Sequence, residues 1–157
     1  MSRTIAFKVA GLAATAGSHK AYPVRKKDGR MGVAVTHASA STKSWMEVVL
    51  LETLNEVGRI RSKKPWDVFL DFQFVIPDSY RTKKGLRKGA PQYPSRDVDK
   101  LARAVLDSVT GVLWLDDRQV VTLTTRKRWG DWEGVFIRAW EIDSERQDDD
   151  RGGQPAP

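Results

Sequence analysis

The chain has 157 residues, 40% of them hydrophobic, enough for one domain with a real core. It has no cysteine, which excludes disulfides, thiolate zinc sites and thiol chemistry. No apolar run approaches the roughly 18 residues of a membrane span, and no signal-peptide pattern opens it, so a soluble intracellular protein is expected. The net charge of +7 hides an asymmetry. Residues 143–157 hold five acids and two bases, so the first 142 residues carry +10, and a polyanionic partner follows.

In chain order, Ile5, Phe7 and Val9 alternate with Thr4, Ala6 and Lys8, which predicts an amphipathic strand. Gly11 to Gly17 is a small-residue loop, with no P-loop lysine and serine after it. His19 and His37 are isolated and read as surface or loop residues. Tyr22–Arg25 and Met31–Thr36 flank Asp28-Gly29, a hairpin signal whose tip is crowded by Lys26, Lys27 and Arg30. A helix capped by Ser41 or Thr42 is expected from about Lys43 to Arg61. Met46, Val49, Leu50, Thr53, Leu54 and Val57 make its apolar face, and Ser62 to Pro65 end it. Trp66 to Ile76 is the clearest strand, with Val68, Leu70, Phe72, Phe74 and Ile76 on one face. Asp71 and Gln73 sit on the other, where a strand acid such as Asp71 is expected to be solvated.

Residues 78–95 then read as a loop. It carries five bases, Arg81, Lys83, Lys84, Arg87 and Lys88, and delivers directly into Asp97. Val98, Leu101, Val105 and Val109 recur at three- and four-residue steps, so a helix buries them on one face, and Gly111 stops it. Asp99, Arg103 and Asp107 climb the opposite face one turn at a time. After the apolar run Val112–Leu115 comes a second acidic pair, Asp116-Asp117. Val120–Lys127 and Gly134–Ile142 are expected to pair as a hairpin around Trp129 and Trp132. Those two tryptophans suit stacking on exposed bases, packing or a dimer contact. From Asp143 the chain loses its apolar residues and reads as a disordered tail, leaving one domain over residues 1–142.

The two acidic clusters flank a helix of about 13 residues, roughly 20 Å long, so they meet only if the chain doubles back or a partner subunit intervenes. Carboxylates without histidine or cysteine form an all-oxygen site suited to Mg²⁺ or Mn²⁺. Each acid also has an ordinary structural role open to it. Asp97 fits an N-cap, Asp99 a first helical turn, and Asp116-Asp117 a turn before a strand.

The combination Asp97-Val98-Asp99-Lys100-Leu101-Ala102-Arg103, Asp107-Ser108-Val109 and Asp116-Asp117-Arg118-Gln119-Val120-Val121 resembles the RusA family of Holliday-junction resolvases. Its pattern is approximately D-x-D-N-L-x-K, a helix with D-A-L, then D-D-x-Q-V/I entering a strand. Lys100 stands where the family has asparagine, and Arg103 where it has lysine. The resemblance implies an α+β fold with a mixed, mostly antiparallel sheet and two main helices, assembled as an intertwined homodimer. It implies Mg²⁺-dependent hydrolysis of phosphodiesters in branched DNA, the four-way junction above all, within a bacterial cytoplasm and from a phage or prophage gene. Asp97, Asp99 and Asp117 would hold the metal, with Asp116 as a further ligand or support, and Arg103 would meet the phosphate. The five bases of residues 81–88, joined by Lys100, are the DNA-contact candidates, because cations beside the acids offset repulsion between them and DNA.

Overall fold

The computed structural model describes residues 2–16, 21–25, 27–29, 31–35 and 40–143. The expectations for His19, His37, Lys26, Arg30, Thr36 and the tail from residue 144 lie outside them. Strand β1 (Thr4–Ala10) is followed by β2 (Ala21–Arg25) and β3 (Met31–Val35), which form an antiparallel hairpin, and by helix α1 (Ala40–Val57). Then come β4 (Trp66–Val75), the short strands β5 (Arg81–Thr82) and β6 (Gly85–Leu86), helix α2 (Val98–Val109), β7 (Val120–Gly130) and β8 (Gly134–Glu141). The architecture is α+β, with a mixed sheet and two helices.

The main sheet runs β1-β8-β4-β7, antiparallel except between β4 and β7. The expected β7–β8 hairpin is therefore wrong. β4, the strand with the longest apolar alternation, lies between them, and residues 131–133 bridge its end. Burying β4 between two neighbours satisfies both edges of the most hydrophobic strand, which a local hairpin would leave half unpaired. Ile5, Phe7, Val9, Val68, Leu70, Phe72, Val135, Ile137 and Ala139 point to one side, where Trp45 and Val49 of α1 and Leu101, Val105 and Val109 of α2 close the core.

α1 stops at Val57, four residues short of the expected Arg61. Gly58 adopts φ +66°, and its N–H closes on the Leu54 carbonyl at 3.0 Å, a left-handed cap that needs no downstream proline. The freed segment is used. Ile60 and Arg61 donate to the Val112 carbonyl and Ser62 to that of Leu113, at 2.8 to 2.9 Å, so the chain after α1 holds the turn after α2. Trp114, buried there, tilts against Trp66 with ring centroids 5.8 Å apart and donates its indole N–H to Thr110 Oγ1. This pinned turn is what folds the second acidic pair back alongside α2.

Asp71 is not solvated. Its side chain is only 5% exposed, because β4 is central and two arginines of β7 lie over it. Arg126 and Arg128 both reach its Oδ2 at 3.0 Å. Burial alone would push this carboxyl up, but the hydrogen bonds from Arg128 and Arg126 prevail and hold it below its ordinary value.

Candidate active site

α2 begins at Asp97, whose carbonyl accepts from Leu101 N–H at 3.0 Å, so Asp97 occupies the N-cap position. Its carboxylate does not cap. It turns to Lys100, 2.8 Å away, and the hydrogen bond and charge of that lysine hold it below the usual carboxylate range. Lys127 on β7 adds to the same field and reaches across to the Arg96 carbonyl. The small-residue loop of residues 11–16 packs beside this turn: Ala13, Ala14 and Ala16 are buried, and Ala16 N–H donates to the Lys100 carbonyl at 3.0 Å.

One turn on, α2 and β7 enclose an open cleft of about 340 Å³. Asp99, Arg103 and Asp107 line it from the helix, Leu123 and Thr125 from the strand, and Asp117 from the turn between them. The four-residue stepping of the first three puts them in one file along the helix, and the pinned turn supplies the fourth charged group. Asp107 registers the crowding. Burial first, then the charge of Asp117, raise its pKa above 3.8, with Arg103 acting the other way.

Asp117 is placed by a one-turn 3₁₀ helix, Asp117–Gln119, that is held from both sides. Asp116 caps it, accepting from Arg118 N–H at 2.9 Å, and also binds the Arg118 guanidinium through both oxygens. These bonds hold its carboxyl far below the ordinary range. Gln119 is the clamp. Its Oε1 accepts from Leu115 and Asp116 N–H, and its Nε2 donates to the Ser62 and Lys64 carbonyls, all between 2.8 and 3.0 Å.

The expected basic loop is in fact a small hairpin. β5 and β6 pair antiparallel, Lys83-Lys84 form their tip, and Arg81 anchors to the Ile76 carbonyl at 2.8 Å. Local bonds such as Arg87 N–H to the Tyr80 carbonyl shape it; alternation of charge with Thr82 and Gly85 gave no periodic signal over so short a span. All five bases are exposed. Trp129 donates to the Pro91 carbonyl at 3.0 Å and Trp132 lies under Lys8, so both tryptophans are engaged within the fold.

Endodeoxyribonuclease RusA is the family whose profile matches, over residues 15–139 of the 157. The chain belongs to the RusA family. Membership implies a Holliday-junction nuclease. No curated protein matches the sequence. Against this RusA domain, Asp99, Asp117 and Arg103 share the cleft, whereas Asp97 is drawn to Lys100 and Asp116 to Arg118. Among the described residues no three acidic side chains stand close enough to enclose an ion. Two residues of the site were missing from the expected set. Asp107 was visible in the stepping from Asp99, but Lys127 depends on the register of β7 against the start of α2, which no local pattern encodes. Among the described residues no helix is long and apolar enough to cross a membrane.

Proposed function

We propose that this RusA chain is a Mg²⁺-dependent endonuclease that resolves four-way DNA junctions as a homodimer. The supporting observation is the α2–β7 cleft, which sets Asp99 and Asp117 beside Arg103. The donors suit the ion. Mg²⁺ characteristically takes one or two carboxylates and completes its shell with water and substrate phosphate, so it needs no closed cage. Asp99 and Asp117 would hold it, with Asp97 joining once it leaves Lys100, while Asp116 keeps the turn in place through Arg118. Bound there, the ion supplies Lewis acidity and lowers the pKa of a water. Mn²⁺ should substitute.

The chain's own contribution is position and charge. The exposed bases of the β5–β6 hairpin, joined by Lys100, offset the repulsion between DNA and the acids. Arg103 meets the phosphate as negative charge develops on its oxygens. Water's oxygen bonds to phosphorus as one P–O ester bond breaks; the leaving sugar oxygen takes the bonding pair and a proton from solvent, to which the attacking water gives up its own. A twofold dimer would present one cleft to each of two opposed strands of a near-twofold junction. The working place on this reading is the cytoplasm of a bacterial host.

Cleavage of matched junction, flap and duplex substrates, with Mg²⁺ or with EDTA, tests the reading. Paired cuts in the junction alone, absent in EDTA, support it. Equal cutting of the flap would move the substrate elsewhere, and no cutting by folded protein would leave only a DNA-binding role.

A further inference from the structure

Neither helix covers the second face of the main sheet, and its side chains are not those of an ordinary solvated surface. Register places Trp140 beside Thr4 and Asp67, Arg138 beside Ala6 and Phe69, and Phe136 beside Lys8 and Asp71. β7 completes these rows with Thr122, Thr124 and Arg126, and Arg128 follows opposite Gln73. Three aromatic rings therefore cluster on this face, Phe136 and Trp140 four residues apart on β8 and Phe69 in the row between them on the neighbouring β4, each only half-buried. With Thr124 and Arg138 they line a depression of about 230 Å³.

Arginines accompany the rings. The Arg126 guanidinium lies 5.4 Å from the Phe69 centroid and that of Arg138 lies 5.6 Å from the Trp140 centroid. Arg126 is further fixed by buried Asp71, so this cation is pre-positioned. The face as a whole carries Lys8, Arg126, Arg128 and Arg138 against Asp67 and Asp71.

We propose that this face is a stacking platform for single-stranded DNA, the unpaired segment that a branched substrate exposes near its branch point. Flat rings accept the π-face of any base, and neighbouring guanidinium groups meet the phosphates between them. Charge selects this occupant over a second copy of the chain, since a twofold pairing of the face with itself would set its excess cations against one another. β7 connects the platform to the cleft. Its alternate residues, Leu123 and Thr125 on one side and Thr124 and Arg126 on the other, belong to the two surfaces in turn. A strand that leaves the cleft over this edge arrives on the platform. The choice of DNA among polyanions rests on the proposed nuclease reading, but the binding itself does not.

The test is binding of a fluorescein-labelled oligothymidylate by the full chain in EDTA, across a salt series, so that loss of cleavage cannot register as loss of binding. Arg138→Glu, an exposed position, should weaken binding on the order of tenfold and flatten the salt dependence, by about 0.7 in log–log slope for each phosphate that is no longer neutralised. Trp140→Ala should also weaken it on the order of tenfold, because the platform then loses its largest stacking ring. Because Trp140 is half-buried, ultraviolet cross-linking of wild-type protein to a 5-iododeoxyuridine oligonucleotide gives an independent reading. Adducts in residues 66–75 or 134–141 are expected. Binding by Arg138→Glu within twofold of wild type, or adducts confined to residues 81–103, would overturn the proposal. So would a variant that changes sedimentation while binding normally, because the face would then belong to a second copy.

Discussion

Gln119 offers the sharpest link between a sequence motif and the geometry of the cleft. Its side-chain amide makes four bonds to backbone groups of two segments, at 2.9 and 3.0 Å to Leu115 and Asp116, and at 2.9 and 2.8 Å to Ser62 and Lys64. Gln119→Ala removes all four. At about 0.5–1.5 kcal/mol each, and discounted because part of the site is wet, the loss should be about 2–4 kcal/mol. That is a large share of the roughly 5–15 kcal/mol that stabilises a domain of this kind, yet compatible with folding. Gln119→Glu keeps the acceptor side but turns a carboxylate oxygen towards two carbonyls. It should therefore fare no better than alanine at neutral pH and recover in part once the new acid is protonated. Urea unfolding of the three proteins, fitted with a common slope, measures this. An alanine variant within about 0.5 kcal/mol of wild type, or a glutamate variant as stable as wild type at pH 7, would refute the idea that this amide holds the turn carrying Asp117.

Asp71 gives a pH test. A folded-state pKa below the unfolded value contributes stability that is complete above the unfolded value, near 3.8, and disappears as pH falls through the folded one. Asp71→Asn should thus cost about 1–3 kcal/mol at pH 7, with the gap closing in acid, and a gap independent of pH would contradict the pairing with Arg126 and Arg128. Gly134→Ala should be severe, about 3 kcal/mol or more in chemical unfolding, because Gly134 sits at φ +148° and a Cβ there meets the Val9 carbonyl and the Trp132 ring. A mild effect would mean the β1–β8 register is wrong. Lys100→Asn removes the partner that draws Asp97 aside at 2.8 Å, so half-maximal cleavage should need less Mg²⁺. An unchanged or higher requirement would assign Lys100 to DNA contact rather than to restraint of Asp97.

The parts of this fold that were legible in the sequence are those set by local periodicity and by glycine. The α2 face of Leu101, Val105 and Val109, the stop at Gly111 and the alternation of β1 and β4 stand as read, whereas Val98, expected on that face, is only half-buried and lines the cleft. What was hidden depends on packing between distant segments. Val120–Lys127 and Gly134–Ile142 look like hairpin partners, but the insertion of β4 between them is decided by burial of the sheet's most apolar strand. The helix stop at Gly58 was overshadowed by the later Pro65, for want of any local sign that residues 60–62 are needed against 112–114. In the cleft, Asp99, Asp117 and Arg103 were singled out by the family resemblance, since type and spacing alone left helix-end and turn roles open to the acids. Whether an acid faces the cleft or a neighbouring cation depends on side-chain pairing, which separates Asp99 from Asp97 and Asp117 from Asp116 although each pair is nearly adjacent in the chain.

The most direct test of the metal-dependent cleft is single-turnover cleavage of a four-way junction, comparing wild type in Mg²⁺, wild type in EDTA, and folded Asp117→Asn in Mg²⁺. Paired cuts in opposed strands should appear only in the first, while junction binding by the variant is retained or improved, because a charge that repels DNA is gone. Cleavage at the wild-type rate by Asp117→Asn, or cleavage that persists in EDTA, would contradict the assignment.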